Sequence, residues 1–402
     1  LTLKKRTPRL ASTSSRIGRN PVAITIDTMK EHNTFVPVAV GEKLLSRTEP
    51  VETVKIDEGA QVSFKVADDW LVKAGQSDLS QVDVQVTVDG KEYALSKAAA
   101  FGVGQVFGIQ NTYLPKITGS IYETLLNHHY GDRGSKAFAA LAIGDVLHGL
   151  VRPGLSVYSN LQILEQTIAG IEAAYGKDTE VLVDRRTFNT LTKTDIRLVV
   201  PEVQRTIHDG GLHDVPSGET DTWSAGIHIS NSVTGKSPTT LSAYLFRYWC
   251  ANGATVRNED VGTWHRAFDS TVDIYEWSKA NTEEILAGME KQFDAVQHLT
   301  GVDVDGRVGS VINETLRPMR VSASIRNDVA QGLLDYDDVS LYTVMNAITS
   351  YANRPGLDQD YINRFMTAGG NLASRSVTSE KATIWKEGHL APPTAPNPYE
   401  VV

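Results

Sequence analysis

Two short strings put a guanidinium beside aromatic rings: Arg247, Tyr248 and Trp249, and then Trp264, His265 and Arg266. Interleaved cations and aromatics suit a single-stranded nucleic-acid groove, where charges follow phosphates and rings stack on bases. The same residues suit a buried strand whose arginine is paired with an acid. If Leu241 to Trp249 is a strand, Tyr248 and Trp249 point to opposite faces, so only one of them lines a groove with Arg247. Arg152 and Tyr158 place a further cation and ring upstream.

The remaining basic candidates lie in one arm. Residues 1–22 carry Lys4, Lys5, Arg6, Arg9, Arg16 and Arg19 without an Asp or Glu, although the chain as a whole has a formal charge of -9. Such a segment is either a solvated tail or an arm that binds phosphates, because clustered Lys and Arg release counterions on nucleic acid. The acidic remainder argues against indiscriminate binding.

Other strings fall short of the chemistry they suggest. Gly235-Lys236-Ser237 ends like a phosphate-binding loop, but the glycine required five residues earlier is Ser230 and Pro238 follows directly, so a turn is expected. Gly102, Gly104 and Gly108 have the wrong offsets for a dinucleotide-binding turn and are expected to serve packing or a turn. Asp303, Asp305 and Gly306 lack the further acids of a calcium loop. His208-Asp209 and His213-Asp214 flank a Gly-Gly turn and read as solvated loop residues. Ser156 and Ser230 lack a nucleophile elbow. Cys250, the chain's one cysteine, is expected to be a packed hydrophobe. No catalytic constellation, metal site or cofactor is expected.

The string WSAGIHISNSVTGKSPTTLSAYLFRYWCANGATV, followed by TWHRAFD, resembles a phage- and plasmid-borne family filed as a domain of unknown function. The resemblance rests on Asn231, Ser232 and Gly235, on Arg247, Cys250, Asn252 and Gly253, and on His265 and Arg266. Upstream, Val151-Arg152-Pro153 through Ser156, Tyr158 and Asn160 is similar to an extended segment of the family, and LYTVMNAITSYANR, with Asn346, Thr349 and Ala352, is similar to its C-terminal helix. The match spans about residues 113–354 and implies a phage or plasmid setting without naming an activity.

The elements that must position these residues follow from periodicity. With 402 residues, 41% hydrophobic and 22% charged, the chain is long enough for more than one core. Val82, Val84, Val86 and Val88 alternate with polar residues and end in Asp89-Gly90, a strong hairpin signal. Together with the runs at residues 22–26, 51–56 and 62–66, they predict an antiparallel sheet with one wet face. The stretch Tyr122–Leu150 reads as interrupted helix, and Gly149–Tyr158 as extended. Leu161–Tyr175 reads as an amphipathic helix with Leu161, Leu164, Ile168 and Ile171 on one face, capped by Ser159 or Asn160. Strands are expected at 181–183, 196–200, 225–229 and 241–249, and helices at 278–299, 319–332 and 339–351.

The expected fold class is α+β: a β-rich N-terminal region of antiparallel strands, a mixed middle and a helical C-terminal region. The expected divisions are a basic arm (1–22), a β-rich region (23–110), a mixed core (111–300), a helical region (301–386) and a proline-rich tail (387–402). No apolar run approaches the length of a membrane span, and no signal-peptide pattern opens the chain, so the expected setting is host cytoplasm or a virion. The leading functional expectation is a homo-oligomeric nucleic-acid-handling protein that binds or anneals single-stranded DNA. The alternative is a structural protein of a virion or other particle, with arm and tail lacing it to copies of itself or to phage structural proteins. An enzyme is the least supported reading.

Overall fold

The valine alternation forms β4 (Gln81–Val88), with every second side chain buried, and Asp89-Gly90 turns it into β5 (Lys91–Ser96). Both turn residues take positive φ, 48° and 85°, the geometry of the hairpin turn that matches strand twist. The structure is a computed structural model that describes residues 35–46, 52–56, 60–71, 80–132, 138–151, 158–189, 193–208, 215, 220–233, 239–249, 251–256, 263–264, 273–304, 306–333 and 339–377.

The chain is α+β, with a β-rich front, a mixed middle and a helical back. β4 and β5 belong to a six-stranded sheet that also holds β2 (Glu52–Ile56), β3 (Val62–Val66), β6 (Phe138–Ile143) and β7 (Val146–Val151), in the order β2-β6-β7-β5-β4-β3. All its pairings are antiparallel except β5 with β7, where Ala94 meets Val146 and Leu95 meets Leu147. Helices α2 (Lys97–Val106) and α3 (Gly119–Asp132) lie in the connection from β5 to β6. The apolar residues of this sheet and these helices form one buried cluster, from Ile56 to Leu147.

The second sheet has eight strands: β1 (Phe35–Pro37), β8 (Leu182–Asp184), β10 (Thr194–His208), β11 (Asp221–Asn231), β12 (Thr239–Arg247) and β13 (Asn252–Val256) in that order, with β9 (Phe188–Asn189) on β10 and β14 (Thr263–Trp264) on β12. It shares a second buried cluster with α1 (Val38–Leu45), α4 (Asn160–Tyr175), α5 (Ile274–Ala287), α6 (Met289–His298), α7 (Val308–Leu316), α8 (Ala323–Gln331), α9 (Leu341–Tyr351) and α10 (Gln359–Val377).

The differences from the sequence reading are local. Within the 122–150 stretch, α3 covers the residues to Asp132, while residues 138–150 lie in the β6–β7 hairpin, turned at Gly144 with φ 58°. The helix expected over 278–299 begins at Ile274 and is interrupted at Gly288. α4 is capped by Ser159, whose Oγ accepts from Gln162 N at 3.1 Å; Leu164 and Ile171 are buried, while Leu161 and Ile168 are half-buried. α10 falls within the helical region expected over 301–386, although no separate helix was expected at its residues. Its Gly369 and Gly370 are what allow it to sit where it does: a methyl on Gly370 would meet the Thr255 carbonyl, and one on Gly369 the Thr349 side chain. The strand expected at residues 22–26 and the proline-rich tail lie outside the described residues.

Candidate functional site

β12 delivers Arg247 to the interior. Its guanidinium is fully buried and grips the equally buried Asp221 on β11, with Nε donating to Oδ1 at 2.8 Å and Nη2 to Oδ2 at 2.6 Å. The Tyr342 hydroxyl from α9 donates to the same carboxylate and accepts from Trp223 Nε1 at 2.8 Å. Arg247 Cζ lies 5.4 Å from the Tyr342 ring centre. Tyr248 is 3% exposed, its hydroxyl bonded to Ser224. The expectation that Arg247 and Tyr248 line an open groove is therefore corrected: strand pairing of Trp223 with Arg247 turns the guanidinium inward, where a charge without a partner is costly. Trp249 is half-buried. Tyr158 is half-buried too, edge-on to Tyr275 with ring centres 6.4 Å apart. The Trp264 backbone pairs with Thr239. Lys4, Lys5, Arg6, Arg9, Arg152 and Arg266 lie outside the described residues, as do Gly235-Lys236-Ser237, Asp209, His213, Asp214 and Cys250.

A second set of charged groups spans the eight-stranded sheet beneath α10. Asp195 Oδ1 accepts from His228 Nε2 at 2.9 Å, and the other ring nitrogen faces Thr255 Oγ1 at 3.3 Å. Asn363 of α10 donates to Asp195 Oδ2 at 2.7 Å and accepts from Arg197, which also donates to the Arg186 carbonyl at 2.9 Å. Lys193 pairs with Asp360 at the start of α10. Burial pushes the Asp195 carboxyl up, but the His228 hydrogen bond and charge, with Arg197 and Lys193, outweigh it and hold the group at about 2. Asp184 is likewise below the ordinary carboxylate range, because Arg186, Arg197 and the Tyr244 hydroxyl outweigh its burial. The row Asp195–His228–Thr255 has the order of a proton relay, yet all three are buried beneath α10.

Beside its Arg186 side this network borders a surface cleft. The turn after β8, the turn at Ala251 and the α9–α10 turn converge on an open cleft of about 390 Å³, lined by Asp184, Arg185, Arg186, Asn353, Arg354 and Ile362 among others. Arg186 is fixed from behind: its Nε donates to both Asp184 oxygens at 3.0 and 3.1 Å, its Nη2 to Tyr244 Oη at 3.0 Å, and its Nη1 to Asn353 Oδ1 at 2.8 Å. Arg354 is exposed, stacked at 3.8 Å on the Tyr351 ring and paired with Asp328, both side chains half exposed. Arg185 is exposed and also lines the cleft. Close by on α10, Arg364 lies 5.1 Å over Tyr361. The cation–aromatic pairing sought at residues 247–249 thus occurs at the α9–α10 corner. Three guanidiniums, those of Arg185, Arg186 and Arg354, line the cleft, and Asp184 and Asp328 pair with the latter two. Rigid, forked donors of this kind bind phosphate or carboxylate oxygens.

Sequence reasoning missed this cleft because its parts are far apart along the chain. The available signals were the doublet Arg185-Arg186 and the Asn353-Arg354-Pro355-Gly356 turn. Gly356 takes φ 82°, which bends the chain between α9 and α10. Among the described residues no group of His, Cys, Asp and Glu is arranged to hold a metal ion, and no helix is long and apolar enough to cross a membrane. No protein-family model, curated protein or solved structure matched the chain.

Proposed function

We propose that the chain is a nucleic-acid-handling protein that engages a single strand through the arginine cleft at the α9–α10 turn. The observation that carries this reading is the convergence of Arg185, Arg186 and Arg354 on one open cleft. Arg186 is held in place by its carboxylate and phenol partners, so it loses little freedom on binding, the usual advantage of a preorganised site. Arg364 and Tyr361 extend the cationic and aromatic surface along α10, which suits a backbone with exposed bases. The basic residues 1–22 supply further phosphate contacts in this reading, and assembly of several copies along a strand accounts for a homo-oligomer. The resemblance to a phage- and plasmid-borne family is consistent with such a role.

The test is titration of single-stranded DNA with Arg185→Ala and Arg354→Ala, both exposed positions, alongside thermal unfolding. Each variant is expected to keep its melting temperature within a few degrees and to lose affinity. The log–log salt slope should fall by about 0.7 per phosphate contact removed. Unchanged affinity and slope in both variants would reject the cleft as the binding site. Light scattering with and without DNA addresses the particle alternative: a shell or lattice indifferent to DNA would replace the strand-binding reading with the structural one.

A further inference from the structure

We infer that β2 is the docking edge for residues 22–26 of a second copy of the chain, which add to the six-stranded sheet as a further strand. This deepens the reading above by naming the contact through which copies assemble, and rests on it only for the homo-oligomer.

Among the described residues, four strands end the two sheets: β1, β13, β2 and β3. An end strand leaves a row of N–H and C=O groups open to another chain unless something closes it. On β3, Asn127 and Glu123 of α3 take backbone groups of Phe64 and Val66. β13 lies so close to α10 that a methyl on Gly370 would meet the Thr255 carbonyl. β1 has three residues and ends in Pro37, which has no N–H to give. β2 has five, Glu52–Ile56, and no proline. It pairs with β6 on one side, and no side chain among the described residues bonds its backbone on the other.

The pattern of β2 selects its occupant. Val54 and Ile56 belong to the apolar cluster of the sheet, while Thr53 and Lys55 are exposed. Val22-Ala23-Ile24-Thr25-Ile26, a run without charge, has the same period: Val22, Ile24 and Ile26 share one face, Ala23 and Thr25 the other. Laid along β2, it continues the apolar face past Val54 and sets Ala23 and Thr25 beside Thr53 and Lys55. A slip of one residue would turn all three branched side chains outward. A second β2 fits less well. Paired about a two-fold axis, registers centred on residue 53 or 54 set Glu52 opposite Val54 or Ile56, and those centred on 52 or 55 put like charges face to face.

Within one chain, residues 27–34 alone join the run to Phe35, which is anchored on β8 in the other sheet. They span at most roughly 30 Å, and the buried clusters of the two sheets share no residue. Between copies that limit does not apply. Donation from one copy to the edge of the next is a head-to-tail contact, which builds rings or filaments, the form that several copies along a strand require. It also carries the basic residues 1–22 from each copy to its neighbour.

The experiment measures sedimentation of the full chain without DNA over a range of concentrations, with amide exchange of residues 52–56 read in parallel. The full chain is expected to assemble, whereas Ile24→Lys and a chain lacking residues 1–27 should stay monomeric and folded. Ala23→Glu, on the face beside Lys55, should assemble like the parent. The 52–56 amides should be protected in the assembly and lose that protection in the two monomeric forms. A full chain that is monomeric at every concentration, assembly that survives Ile24→Lys, equal disruption by Ala23→Glu, or the same exchange at 52–56 in assembled and monomeric forms would each overturn the inference. A single-stranded oligonucleotide too short to hold two copies is titrated separately. Assembly that depends on Ile24 without any oligonucleotide binding would support strand donation and sink the strand-handling reading. Oligonucleotide binding by a chain that never assembles would do the reverse.

Discussion

The two sheets bury different chemistry. Among the described residues 52–151, Ser96 is the one fully buried polar side chain, and it caps α2 by accepting from Ala99 N at 3.2 Å. The eight-stranded sheet instead buries Asp184, Asp195, Arg197, Asp221, His228 and Arg247. The first is held by apolar area, which tolerates small adjustments of packing. The second is held by matched charges, which add little net stability over apolar residues yet penalise any arrangement that separates partners. A slip of one residue between β11 and β12 would move Arg247 to the opposite face from Asp221 and leave both charges stranded.

The largest expected effect breaks this contrast or establishes it. Arg247→Ala strands the Asp221 charge and should cost about 3–5 kcal/mol in equilibrium denaturation. Val84→Ala, at an equally buried site in the six-stranded sheet, should cost about 2 kcal/mol. Equal costs would show that the charges matter no more than a methyl-lined core.

Acid should separate the two sheets next. The Asp195 carboxyl is depressed to about 2 from 3.8, so its contribution is complete above the unfolded value and is lost as pH falls from about 4 to 2. The amount is about 2 kcal/mol. Asp195→Asn should flatten that part of the stability–pH curve, read by denaturant titration at several pH values. An unchanged acid limb in the variant would contradict the assignment.

At the β3 edge of the six-stranded sheet, two polar side chains of α3 bond to the strand's backbone. Asn127 of α3 donates to the Phe64 carbonyl at 3.0 Å and accepts from Phe64 N at 2.8 Å, while Glu123 accepts from Val66 N at 2.7 Å. These side chains occupy the place a further strand would take on β3. Asn127→Ala should cost about 1–2 kcal/mol and raise concentration-dependent association in sedimentation, since an open edge invites pairing. Unaltered sedimentation would show that the edge is protected by something else. The smallest effects should be the same in both regions: Ser96→Ala and Ser159→Ala each remove a helix N-cap, worth about 1 kcal/mol.

How much of this was legible follows the same division. The β4 alternation and its Asp-Gly turn were readable because period and turn chemistry are local. So was the buried face of α5 and α6, where Ile285, Met289, Phe293 and Val296 are buried as their spacing predicts. Arg247 could be read as ligand-binding or as paired, because its partner Asp221 lies on another strand and no sequence spacing marks the register. Asn160 and Asn231, both in the strings that carry the family resemblance, meet inside the protein, with Asn231 Nδ2 donating to Asn160 Oδ1 at 2.7 Å. Their side chains serve the fold here. α10 was missed because Gly369-Gly370 reads as a break, whereas the pair is needed for close approach to Thr255 and Thr349. The cleft was missed because Arg186 and Asn353 are brought together only by the completed sheet.

The parallel pair of β5 and β7 has a consequence for the growing chain. β2 finds its partner only when β6 has been made, Lys55 against Ala139, and β5 waits for β7 in the same way. At roughly 5–20 residues per second, synthesis leaves β2 without its neighbour for several seconds after it leaves the ribosome. During that interval the β3–β4–β5 meander can form alone, but the sheet's other half cannot. A nascent chain stalled shortly before residue 138 should therefore be far more sensitive to protease within residues 52–56 than one stalled well beyond residue 151.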